Sequence, residues 1–171
     1  MHIVGIDEIP KLEDIKDVLL SDTASVYKTC RSMEILCDTS EGIGLSAVQV
    51  GIPWKLFIVK SDGGCPFIRP KEYGYFVNCE YEPVTDEQVV SLEGCLSVRS
   101  PEGQLRLFQV NRYTKIKIYG FRLIINDSNN MDFVPIDFEV AFHEQGVVFQ
   151  HEIDHHRGKL VSDIGKEVFL W

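Results

Sequence analysis

Two histidines four residues apart, in His151-Glu152-Ile153-Asp154-His155, constrain what this chain can become more than any other feature of it. On a helix that spacing puts both imidazoles on one face, one turn apart, so that they can share a metal ion. The surrounding pattern asks for such a helix. From about Phe138 the apolar period lengthens, Val147, Val148, His151 and His155 fall three to four apart, and Gly158 is available as a stop. Glu152 projects beside the pair, where a carboxylate can take a proton from water at the metal. An amphipathic helix with two chance histidines would read the same way, so the reading turns on a third ligand.

A catalytic divalent ion of this kind takes three protein ligands and leaves one position for water. The zinc-protease continuation H-x-x-G-x-x-H is met as far as Gly158, but Val161 stands where its third histidine belongs. Asp163 or Glu167 could offer a carboxylate downstream, although the chain ends at Trp171 and leaves little room to return one to the site. Upstream, Glu93-Gly94-Cys95-Leu96-Ser97 sets a cysteine next to a glycine. Gly94 permits close backbone approach, and a thiolate is a soft, strong ligand for zinc or ferrous iron. Taken alone, Cys95 reads equally as a buried structural cysteine.

The rest of the chain reads as one domain over residues 1–171, since 171 residues at 44% hydrophobic content can bury one good core. The 26 carboxylates against 17 basic residues give a net charge of −9, which argues against nucleic acid or anionic membrane as a partner. No apolar run approaches the roughly 20 residues of a bilayer span, and Met1 to Glu8 lacks a signal peptide's basic start and apolar core, so a cytoplasmic protein is expected. Five cysteines at irregular spacing fit reduced thiols better than a disulfide framework, with Cys30, Cys37, Cys65 and Cys79 as core thiols or bystanders.

Ser21-Asp22-Thr23 can cap a helix whose Tyr27, Cys30, Met33 or Glu34, and Cys37 form a stripe. Trp54 to Lys60, Tyr75 to Tyr81, Gln104 to Val110 and the alternating Lys115 to Ile118 read as strands. Asn126 to Asn130 signals a hairpin turn, and Gly63-Gly64 with Pro66 a surface loop. Short strands without regular strand-helix alternation predict an α+β domain, mostly antiparallel sheet, packed around the central helix that carries HExxH.

Gly42-Ile43-Gly44-Leu45-Ser46-Ala47-Val48-Gln49, Glu93-Gly94-Cys95-Leu96-Ser97 and Gln150-His151-Glu152-Ile153-Asp154-His155 stand in the order of the three motifs of peptide deformylases. The chain resembles that family from about residue 40 to residue 160. The resemblance implies that Cys95, His151 and His155 bind one divalent metal ion, Fe(II) in the cell, with Zn(II) or Ni(II) able to substitute. It implies that Glu152 is general base and acid, and that Gln49 and the Leu96 N–H hold the developing oxyanion. Ile43, Gly44, Val147 and Val148 would bind substrate. The substrates implied are N-formylmethionyl peptides and nascent chains, with formate released.

The chain also departs from the family pattern. His156 stands where leucine is usual and reads as a surface or packing residue, like His2 and His143. Ser46 replaces a common alanine, and Arg99-Ser100-Pro101-Glu102-Gly103 replaces the usual continuation after the cysteine motif. Glu144 is expected two turns before His151 on the metal-facing side of the same helix. Sixteen residues follow His155, so the long C-terminal helix of many bacterial deformylases is not expected, and ribosome docking through it is not implied. Two rivals remain at this point. A zinc endopeptidase lacks its third ligand; a catalytically dead module that binds formyl-methionyl chains, or that uses Cys95 and the histidines as a closed structural metal site and so needs a fourth ligand, would leave Glu152 and Gln49 without a purpose.

Overall fold

The computed structural model describes residues 1–65 and 68–169, with Glu144 described in its backbone only. Pro66, part of the expected surface loop, lies outside the described residues. The first long element is helix α1, Thr23–Thr39, and it begins where its cap stands: Asp22 Oδ1 accepts from the Ser25 N–H at 3.3 Å. Its buried stripe is Val26, Cys30, Met33, Glu34 and Cys37, with Tyr27 only partly covered. Glu34 is tolerated in that stripe because Tyr75 and Arg31 donate to its carboxylate.

The strands form two antiparallel sheets. The larger contains β1 (Gly44–Ser46), β2 (Leu56–Lys60), β3 (Tyr73–Pro83), β6 (Lys115–Ile125) and β7 (Met131–Ala141), in the order β1-β2-β3-β6-β7. The smaller contains β4 (Gln88–Arg99), β5 (Leu105–Tyr113) and β8 (Lys166–Val168), in the order β4-β5-β8. The expected hairpin joins β6 to β7. Asn126 Oδ1 accepts from the N–H groups of Ser128 and Asn130 at 3.0 and 2.9 Å, Asn129 turns through φ 60°, and Ile125 pairs with Met131.

Helix α2, Gly146–His156, carries both histidines of the motif. It starts later than the sequence pattern suggests. Phe138 lies in β7, where Phe138 and Val140 are buried two apart, a strand spacing and not the onset of the helical period. Glu144 is likewise not on this helix. It ends a short 3-10 helix, Phe142–Glu144, and the left-handed Gln145, φ 70°, separates that turn from α2.

The central core gathers around Phe149 of α2, which meets Phe57, Phe76 and Phe138 edge-on. His156 belongs to this core and not to the surface. It is 1% exposed beside Phe57, and burial pushes its pKa down to about 4 despite its bond to the Leu56 carbonyl. The small sheet has a separate buried cluster of Cys95, Val98, Phe108, Val110 and Val161, the last from the short helix α3, Val161–Ile164. All five cysteines are buried. Among the described residues no helix is long and apolar enough to cross a membrane.

Candidate active site

The two sheets meet at α2, and the three candidate metal ligands come from both sides of that junction. His151 and His155 stand one turn apart on α2 with ring centroids 4.9 Å apart, and Cys95 reaches them from β4. One donor atom from each lies within 4.8 Å of the other two, and Cys95 Sγ is 3.6 Å from His155 Nε2. The position of Cys95 follows from a slip in the β4–β5 ladder. Gly94 pairs with Leu107 and Arg99 with Leu105, so Cys95 to Val98 stand opposite Arg106 alone and depart from regular pairing.

The two imidazoles stand in different surroundings. Glu93 Oε2 lies 2.9 Å from His151 Nδ1, which leaves Nε2 as the nitrogen that could ligate. Burial and the neighbouring His151 keep His155 neutral by lowering its pKa well below the usual value. Burial also opposes charge on His151, but hydrogen bonds to Cys95 and Glu93 outweigh it and push this group up to about 10. The Glu93 carboxylate and the Cys95 sulfur that favour positive charge on His151 would favour a divalent cation as well. One thiolate and two imidazoles suit zinc or ferrous iron, so the donor set fits a metal ion.

Glu93 is anchored in turn. Arg112, 2% exposed, donates to both its oxygens at 2.8 and 2.9 Å, and its third arm donates to Asp154, which also accepts from Tyr81 at 3.2 Å. Burial alone would raise the Glu93 carboxyl; the bonds from Arg112 and His151 overcome it and hold the group at about 2. Sequence reasoning assigned no role to Glu93, Asp154 or Arg112. A signal was present in the alternation of β5, where Phe108, Val110 and Arg112 all point inward. The strand expected to stop at Val110 runs on to Tyr113, and a guanidinium on its buried face demands carboxylates.

The other expected residues border a cleft of about 240 Å³: Ile43, Gly44, Gln49, Leu96, Val147 and Val148 line it with His151 and Glu152, whereas Cys95 and His155 lie behind its wall. Gln49 sits in a 3-10 helix, Ala47–Val50, where its Oε1 accepts from the Ser46 N–H at 2.9 Å. That bond turns its amide nitrogen inward, to 3.2 Å from Cys95 Sγ. Gly44 lies directly against Glu152: a Cβ there would stand 2.4 Å from Glu152 Oε1 and 2.9 Å from Val148 Cγ1. Only a glycine lets β1 approach α2 this closely. Glu152 is 3% exposed, its Oε2 has no hydrogen-bond partner among the described residues, and burial raises its carboxyl to about 7. Such a group can accept and return a proton near neutral pH.

Residues 9–168 match the family model described as polypeptide deformylase. The chain belongs to this family. A peptide deformylase of Rickettsia typhi is 31% identical over 167 residues, covering 95% of this chain and 87% of that protein. One from Natranaerobius thermophilus is 31% identical over 133 residues, 76% of this chain and 70% of that protein. Among solved structures, a class I type b peptide deformylase from Acinetobacter baumannii matches with a TM-score of 0.71 over 96% of this chain and 97% of that one. At 21% identity that likeness speaks for the fold. As a family member the chain is a hydrolase of N-terminal protein processing that removes the formyl group from N-terminal methionine. The Cys95, His151 and His155 cluster is consistent with the family's metal dependence.

Proposed function

We propose that residues 1–171 form one catalytic domain in which Cys95, His151 and His155 hold a single divalent ion, Fe(II) in the cell, with Zn(II) or Ni(II) able to replace it. The observation that carries this reading is the buried Glu152 carboxyl, one oxygen unpartnered among the described residues, in the same cleft as His151 and one residue along the helix from it. When bound, the ion supplies positive charge that makes water more acidic and polarises the formyl oxygen.

The chain's own groups do the remaining work. Glu152 takes a proton from the attacking water and returns it to the leaving nitrogen. Water oxygen bonds to the formyl carbon, the carbon–nitrogen bond breaks, and formate and a free amine leave. The Gln49 amide and the Leu96 N–H donate to the oxygen that becomes negative on the way. Ile43 and Gly44 offer main chain to an extended substrate, and Val147 and Val148 give the methionine side chain an apolar wall. The substrates are N-formylmethionyl peptides and nascent chains, met in the cytoplasm where they are made.

The test is mass spectrometry of formyl-Met-Ala-Ser and acetyl-Met-Ala-Ser after incubation with Fe(II)- or Ni(II)-loaded protein under reducing conditions. Formate is released from the first, and the second reacts far more slowly, because the extra methyl displaces the reacting carbon in a site where misplacement costs roughly 10²-fold. Equal loss of acetyl, internal cleavage, or an untouched formyl peptide would defeat the proposal.

A further inference from the structure

Gln145, the residue that opens α2, combines three unfavourable features. Its backbone is left-handed, φ 70° and ψ 8°, a conformation that residues with a Cβ rarely adopt. The side chain is 6% exposed, and its Oε1 is buried with no hydrogen-bond partner among the described residues. Costs of this kind persist where the surrounding fold must hold one geometry. In return Gln145 makes one specific bond, from Nε2 to the Lys60 carbonyl at 2.7 Å. Lys60 ends β2, and its own N–H donates to the Ile43 carbonyl at 2.8 Å. A single residue of main chain therefore ties the cleft-lining segment Ile43 and Gly44 to the start of the helix bearing His151, Glu152 and His155.

We propose that Gln145 is a positioning residue, which sets the separation between α2 and the Ile43–Gly44 edge and so fixes where an extended peptide lies relative to Glu152. This rests on the reading that substrate main chain runs beside Ile43 and Gly44. The contact it governs has no slack, since Glu152 and Val148 already crowd Gly44, and Val148 N–H is itself bonded to the Gln145 carbonyl at 3.0 Å. Metal binding should be spared. Cys95 follows α2 as one piece with it, because Glu93 is bonded to His151, and Arg112 bridges Glu93 to Asp154.

The test compares two variants of the metal-loaded enzyme. Gln145→Gly removes the side-chain bond and relieves the left-handed backbone; Gln145→Glu keeps the shape, but a carboxylate cannot donate to the Lys60 carbonyl. Both are assayed on formyl-Met-Ala-Ser and on formyl-methionine amide, which is too short to run along the edge. Metal content and thermal unfolding are measured beside the kinetics. The expected result is one metal ion per chain and a loss in kcat/KM about ten-fold greater for the tripeptide than for the amide, chiefly in KM. Equal losses on the two substrates, no loss, or departure of the metal would each overturn the positioning role. A wild-type enzyme inactive on both would instead overturn the deformylase reading and this inference with it.

Discussion

Gly44→Ala puts a single methyl group where the geometry has no room. The new carbon would stand 2.4 Å from Glu152 Oε1, whereas ordinary contact begins at about 3.4 Å, so one side must yield by about 1 Å. Glu152 cannot swing clear into solvent, being 3% exposed, and Val148 Cγ1 presses on the same methyl from 2.9 Å. A displacement of that size in a preorganised site costs on the order of 10²-fold in turnover. The substitution carries no backbone penalty, because Gly44 is not in the left-handed region, and alanine restricts the unfolded chain more than glycine does. The loss should therefore fall on kcat and not on folding or metal content. The assay is steady-state formate release from formyl-Met-Ala-Ser, with metal analysis and thermal unfolding of the same preparation. Turnover within a factor of about three of wild type, against the roughly 10²-fold loss that the displacement implies, would refute the claim that Gly44 sets the position of Glu152.

Cys95→Ala, His151→Ala and His155→Ala should each lose most of about one metal ion per chain, measured by elemental analysis; full occupancy in Cys95→Ala would remove this thiol from the ligand set. Glu152→Ala should keep its metal and lose on the order of 10²–10⁴-fold in kcat, and an active variant would sink the acid–base assignment. Gln49→Leu should lose on the order of 10²–10³-fold with metal retained, as expected of one oxyanion donor. Arg112→Met strands two buried carboxylates, so chemical denaturation should show about 3–5 kcal/mol less stability and metal titration roughly 10–100-fold weaker binding; unchanged affinity would mean that Glu93 does not need Arg112 to orient His151.

The parts of this molecule legible in its sequence are those decided by local spacing. Asp22 caps α1, Asn126 closes the β6–β7 hairpin, and the four-residue interval puts His151 and His155 on one face, because each depends on neighbours along the chain. The start of α2 was not legible: apolar residues at Phe138 and Val140 satisfy a strand period, and the break at Gln145 depends on a bond to Lys60, 85 positions away. The Glu93–Arg112–Asp154 network was hidden for the same reason, since its partners lie 19 and 42 positions apart. Cys95 could be given a place only through the motif resemblance, as nothing within the cysteine segment says that a slipped ladder turns its sulfur toward α2.

The separation of the two sheets also bears on how the protein holds together. Among the described residues the small sheet's own buried cluster is five residues, too few to make it an independent unit, and Glu93 and Cys95 connect it to α2 largely through polar and charged groups. An ion shared by Cys95 and the two helical histidines would act as a rivet across that seam, so binding and folding would be thermodynamically linked. At a free metal concentration of 100 times Kd the rivet is worth about 2.7 kcal/mol, which for a domain of this size corresponds to roughly 5–11 °C in Tm. A chelator would then do more than silence the enzyme: the first region to exchange its amide hydrogens would be β4 and β5, while the five-stranded sheet remained protected.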